Sequence, residues 1–231
     1  MYQSLVRSLY AAGFLFFCGI SCCAAETADA VALVIVYDSS GSMADSVTDA
    51  QGVKSAKSRV ALNALQSLSD RLAAFLQNPT NTPARSVDVA LITFDNGYTK
   101  TALQLQPFTN TLVLAARAFR PAGGTPLGRA VLQAWSVLEK SSYFHKHILV
   151  ITDGKNTIGP EPEKVLADLK RNPRSSDVLP KVHFIAFDVS SAIFDNVKKH
   201  DVSVVEALNE KELLYQVDYI LTRKILLEAE E

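Results

Sequence analysis

Cysteine is almost missing from this 231-residue chain. The three that occur, Cys18, Cys22 and Cys23, all lie near the N-terminus, so a domain that begins after them has no thiol for a structural disulfide or a nucleophile. Neither charge predominates: 23 Lys and Arg stand against 24 Asp and Glu. The basic residues form no stripe, which removes the electrostatic basis for nucleic-acid binding. Internal repeats and low-complexity linkers are lacking, and so are a G-x-S-x-G nucleophile elbow and a P-loop lysine motif. Long apolar runs are lacking as well. The nearest is Leu9 to Ile20, about a dozen residues where a membrane span needs about 20.

That short run has the form of a signal peptide. Arg7 precedes it and the small residues of Cys23-Ala24-Ala25 follow, so residues 1–25 are expected to be cleaved on export, leaving 26–231 in the periplasm or secreted. Two alternatives stay open, lipidation at Cys22 or Cys23 and an uncleaved anchor. Gly19 fits the first poorly, and only these two routes would bring the chain to a membrane. Roughly 205 residues then remain, the length of one domain with a substantial core.

Strand and helix patterns alternate along that domain. Val31 to Val36 is aliphatic without polar alternation, as in a central parallel strand covered on both faces. Ser58 to Gln77 has helical spacing through Val60, Leu62, Leu65, Leu68, Leu72, Phe75 and Leu76. Val87 to Phe94 reads as a strand, with Thr99 to Pro107 as its short antiparallel partner across an Asn-Gly turn. Helices are expected over Leu112–Phe119, Pro126–Ser141, Glu161–Arg171 and Ser191–His200. Further strands run into Asp153, over Lys181–Asp188 and over Val202–Glu206. The last helix opens with Asn209 and Glu212 at capping-box spacing. The pattern predicts an α/β fold, doubly wound around a mostly parallel sheet, with one antiparallel edge strand.

Asp38-Ser39-Ser40-Gly41-Ser42 follows the first strand and sets one carboxylate and two hydroxyls at alternate positions. Open α/β sheets bind ligands beyond the carboxyl ends of such strands, and these hard oxygen donors suit Mg²⁺, Mn²⁺ or Ca²⁺. Each part also has a plainer reading. Asp and Ser cap strand-to-helix loops, Thr125 before Pro126 is an ordinary helix start, and Asp153-Gly154 is an ordinary turn.

Taken together with Gly123-Gly124-Thr125-Pro126-Leu127-Gly128 and the strand Lys146 to Thr152 ending in Asp153-Gly154, the turn resembles the metal-ion-dependent adhesion site of the von Willebrand factor A domain family. The likeness extends over about residues 31–227. It implies a metal set of Asp38, Ser40, Ser42, Thr125 and Asp153. In that family the hydroxyls bind the ion directly, the acids act largely from behind them, and the open position takes an Asp or Glu from a partner protein.

The leading expectation is therefore a metal-dependent protein-binding module, acting as an adaptor, an assembly factor or an adhesion component. The alternative is a metal-assisted hydrolase using the same ion. It would need a positioned base, and the nearest acid, Asp95, opens an Asp95-Asn96-Gly97 turn that accounts for it without catalysis. The polar insertion Ala44–Lys57 and the segment Thr157–Pro160 are expected to flank the rim where a partner docks, with Lys155 adding a positive charge. Asn78 to Pro83 reads as a plain connection on the far side. His145-x-His147 is expected at the exposed start of its strand, since two histidines without a third ligand make a weak zinc case, and His183 and His200 look isolated.

Overall fold

In a computed structural model, which describes residues 30–48, 52–78, 86–172 and 178–227, the first apolar run forms β1 (Val31–Tyr37) with every residue buried. Its side chains alternate between two cores: Leu33, Ile35 and Tyr37 enter one, and Ala32, Val34 and Val36 enter the other. That division is why the run shows no polar alternation. The expected leader, with its expected cleavage site and the three cysteines, lies outside the described residues, as does most of the Asn78–Pro83 connection.

After β1 the chain makes a 3₁₀ turn, Gly41–Ala44, and then β2 (Ser46–Thr48) and β3 (Lys54–Ala56), which pair antiparallel as a sheet of their own. The Ala44–Lys57 insertion is therefore partly structured, with Val47 buried as its anchor, where composition alone reads as loop. Next come α1 (Lys57–Gln77), β4 (Val87–Asp95) and β5 (Tyr98–Pro107). Asn96 and Gly97 join the last two with φ of 50° and 83°, the two positive values that a two-residue turn matched to strand twist requires.

Two helices follow, α2 (Leu112–Arg117) and α3 (Leu127–Leu138), then β6 (His145–Thr152), α4 (Pro162–Arg171) and β7 (Lys181–Phe187). The segment read as one helix over Ser191–His200 is a 3₁₀ turn, Ser191–Phe194, running into the single turn α5 (Asp195–Lys198). After β8 (Val202–Ala207), α6 (Glu210–Tyr219) continues as a π-helical stretch, Ile220–Leu226. The Asn209 side chain accepts from the Glu212 amide at 3.0 Å, while Glu212 Oε2 accepts from the Leu208 amide at 2.7 Å. The expected cap is thus present, with its return arm one residue earlier than in a capping box.

The main sheet runs β5-β4-β1-β6-β7-β8, parallel throughout except for the antiparallel edge strand β5. α1, α2 and α6 cover one face, and α3, α4 and α5 cover the other. β1 lies between β4 and β6, and the chain leaves it toward one side and returns on the other, so the carboxyl ends of β1 and β6 border a topological switch point.

One expectation fails at the opposite end of β6. His147 is 1 % exposed and Lys146 4 %; β1 flanks the strand from His145 onward and β7 from His147. His183 is not isolated. It stacks on His147 across β6 and β7, ring centroids 5.7 Å apart, with Nδ1 of His147 3.4 Å from Nε2 of His183. Burial, followed by neighbouring charges, lowers the two imidazoles from 6.5 to about 3 and about 4.

Candidate metal centre

Three loops at the carboxyl edge of the sheet carry the five residues singled out in the sequence. The register sets Tyr37 beside Ile151, and the Asp38 amide extends the ladder by donating to the Ile151 carbonyl at 3.1 Å. Asp38 and Asp153 therefore leave adjacent strands at nearly the same level.

Both carboxylates accept hydroxyl hydrogens. Thr152 donates to Asp38 Oδ2 at 2.5 Å, and the Ser40 amide donates to Asp38 Oδ1 at 2.8 Å. The Ser42 hydroxyl donates to Asp153 Oδ1 at 2.7 Å and lies 3.2 Å from that of Ser40. Burial pushes the fully buried Asp38 carboxyl above the usual carboxylate range. The Ser40 and Thr152 hydrogen bonds oppose that rise, and the charge of Asp153 adds to it.

The second loop is fastened to the first by backbone. The Gly41 amide donates to the Gly123 carbonyl at 2.9 Å, and the Ala122 amide to the Ser39 carbonyl at 3.0 Å. Gly123 has φ of 70°, and a Cβ there would come within 2.7 Å of the Asn96 and Gly97 backbone, so only glycine lets this loop close on the β4–β5 turn. The third loop holds Thr125 from the other side. The Thr157 hydroxyl accepts from the Thr125 amide at 2.7 Å, and the Thr157 amide donates to the Thr125 carbonyl at 2.9 Å. Thr157 is thus a clamp on Thr125, a more specific role than the rim position its segment suggested. The N-cap of α3 falls on Pro126, one residue later than expected, which leaves the Thr125 hydroxyl outside the cap. Lys155 is exposed.

Four neighbours of the site went unnoticed in the sequence. The Ser39 hydroxyl lies 2.7 Å from both the Thr93 hydroxyl and the Phe94 carbonyl and accepts from the Phe94 amide, clasping the first loop to β4. Thr152 holds Asp38. Lys57, the first residue of α1 and 8 % exposed, places its ammonium 3.1 Å from Asp153 Oδ2 and 2.9 Å from Asp188 Oδ2. Burial works against the charged lysine, but its hydrogen bonds to Asp188 and Asp153 prevail and hold it above its ordinary value. Asp188 follows β7 as Asp153 follows β6 and Asp38 follows β1. An acid directly after three apolar strands was a readable signal. So was a lysine opening a helix, where the helix dipole disfavours a cation.

The donor chemistry fits a hard divalent cation. The Ser42 hydrogen points to Asp153 and the Ser40 hydroxyl lies against that of Ser42, so what Ser42 has left to offer is lone pairs, as cation ligands require. Among the described residues no three His, Cys, Asp or Glu side chains form a metal-binding group, and the set singled out here is made instead of two acids and three hydroxyls, all hard oxygen donors.

Residues 33–155 match the family described as von Willebrand factor type A domain. Among solved structures, the pilus adhesin SpaC from Lactobacillus rhamnosus GG superposes with a TM-score of 0.62 at 15% identity, over 86% of this chain and 31% of that one. The PilB minor pilin from Streptococcus sanguinis gives 0.60 at 16%, over 85% and 61%. The vWF domain of the type V pili tip protein Mfa5 from Porphyromonas gingivalis gives 0.57 at 16%, over 83% and 94%. These identities speak for the fold alone, and the chain spans only about a third of SpaC and under two thirds of PilB. No protein of curated function matches the chain.

Proposed function

Since this chain belongs to the von Willebrand factor type A domain family, we propose that it is an exported, metal-dependent protein-binding module. Asp38, Ser40, Ser42, Thr125 and Asp153 would hold a divalent cation, Mg²⁺ or Mn²⁺ first and Ca²⁺ as an alternative. When bound, the ion offers a coordination position to an Asp or Glu carboxylate of a partner protein.

One observation carries the reading: the Ser42 hydroxyl at the end of β1 gives its hydrogen to Asp153 and lies 3.2 Å from the Ser40 hydroxyl, so the acid orients the hydroxyl oxygens without having to bind the ion itself. Thr152 and the Ser40 amide fix Asp38 beside it, and Thr157 fixes the backbone of Thr125. Pilus adhesin, minor pilin and pilus tip protein are the descriptions of the similar structures, and they support an adhesion or assembly role outside the cytoplasm. The signal-peptide form of residues 1–25 supports the same location. No helix of the described residues is long and apolar enough to cross a membrane.

The test is calorimetric titration of the purified protein with Mg²⁺ and Mn²⁺, beside Asp38→Ala. Saturable binding that disappears in a variant with an unchanged circular dichroism spectrum supports the reading. Capture of an acidic partner that survives the substitution overturns it.

A further inference from the structure

Lys57 has no reason of its own to be where it is. As first residue of the 21-residue α1, it sits at the positive end of the helix dipole, and it is nearly buried. The insertion delivers it there: β2 and β3 bring the chain back, and the Lys57 amide donates to the Asp45 carbonyl at 2.8 Å beside the first metal loop. The ammonium then bridges the acids that end β6 and β7. Asp153 is thereby shared. One oxygen takes the Ser42 hydrogen and the other takes the lysine.

We propose that Lys57 is the residue that sets this site's charge for an acidic partner: a fixed internal cation that weakens uptake of the divalent ion by the protein alone and reserves the ion's charge for the incoming carboxylate. The inference rests on the metal-dependent reading above. With Asp38, Asp153 and Asp188 ionised, Lys57 brings the formal charge of the cluster to two negative, which one divalent cation cancels. Without Lys57 the loaded cluster keeps one negative charge and repels the carboxylate it should bind. Asp188 has the opposite effect, since it holds half of the lysine's attention away from Asp153 and adds a negative charge of its own.

The experiment measures Mn²⁺ affinity of the full chain by calorimetry, with no partner present, for the native protein, Lys57→Met and Asp188→Asn. The proposal expects Mn²⁺ to bind Lys57→Met about threefold or more tighter, and Asp188→Asn weaker by a similar factor. It also expects acetate, as carboxylate probe, to enhance Mn²⁺ binding in the native protein more than in Lys57→Met. A merely structural role for the bridge would move both variants in the same direction, and that result overturns the inference. If Lys57→Met does not fold, the sign of the Asp188→Asn change decides alone, and unchanged or tighter binding there overturns the inference. Equal affinities in all three proteins, with binding lost in Asp38→Ala, overturn it and leave the metal reading standing. Saturable Mn²⁺ binding by none of them overturns the metal reading and this inference with it.

Discussion

The hydroxyl of Thr152 lies 2.5 Å from Oδ2 of Asp38, so the last residue of β6 orients the first residue after β1. The bond crosses the switch point between two parallel strands and ends on a buried carboxylate.

Removing that donor strands the carboxylate. Thr152→Val keeps the shape of the side chain and is expected to lower unfolding free energy by about 1–3 kcal/mol, whereas Thr152→Ser costs less. Denaturant unfolding followed by circular dichroism measures both. A Thr152→Val protein as stable as the native one would show that the bond adds nothing.

The histidine pair predicts acid lability. Folded values of about 3 and about 4 lie below the ordinary 6.5, so the unfolded chain takes up protons that the folded chain refuses. Stability from this source is complete above pH 6.5 and falls as pH drops from there toward 4, by up to ~1.4 kcal/mol per pH unit for each imidazole. His183 is lowered by burial first, then by Lys224 and Lys181. The readout is the melting temperature of native protein and His183→Gln across this range. The difference between the curves removes the opposing contribution of Asp38, and a constant difference would contradict the assignment.

Gly123→Ala would force a Cβ into the Asn96–Gly97 backbone at a φ of 70°. Expected losses are about 1–3 kcal/mol of stability together with weaker Mn²⁺ binding, because the loop that carries Thr125 must move. Gly154→Ala, where a Cβ meets nothing within 4 Å, is the control and should bind as the native protein does. Stability and calorimetry on the pair check this.

Local pattern disclosed the parts of this fold that local pattern governs. The uninterrupted apolar run of β1, the spacing of α1 and the Asn96-Gly97 turn are properties of short segments, and each lies within a residue or so of where it reads. The three loops with Asp38, Thr125 and Asp153 were legible for the same reason. The meeting of Lys57 with Asp188 was not, although each residue carries a local signal, because it depends on which strands lie side by side. His147 was misread because a polar residue early in a strand looks solvent-facing unless the strands on both sides are known to reach its level, as β1 and β7 do. Thr157 looked like rim for a related reason, since its partner Thr125 is 32 residues away.

The position of the crevice also has a mechanical side. Asp38 and Asp153 are direct continuations of β1 and β6, two adjacent parallel strands at the centre of the sheet. Their ladder bonds lie across the strand direction, so a pull along the strands on a ligand seated at the crevice would draw β1 and β6 together and load the flanking β1–β4 and β6–β7 ladders in shear, where many bonds share the load.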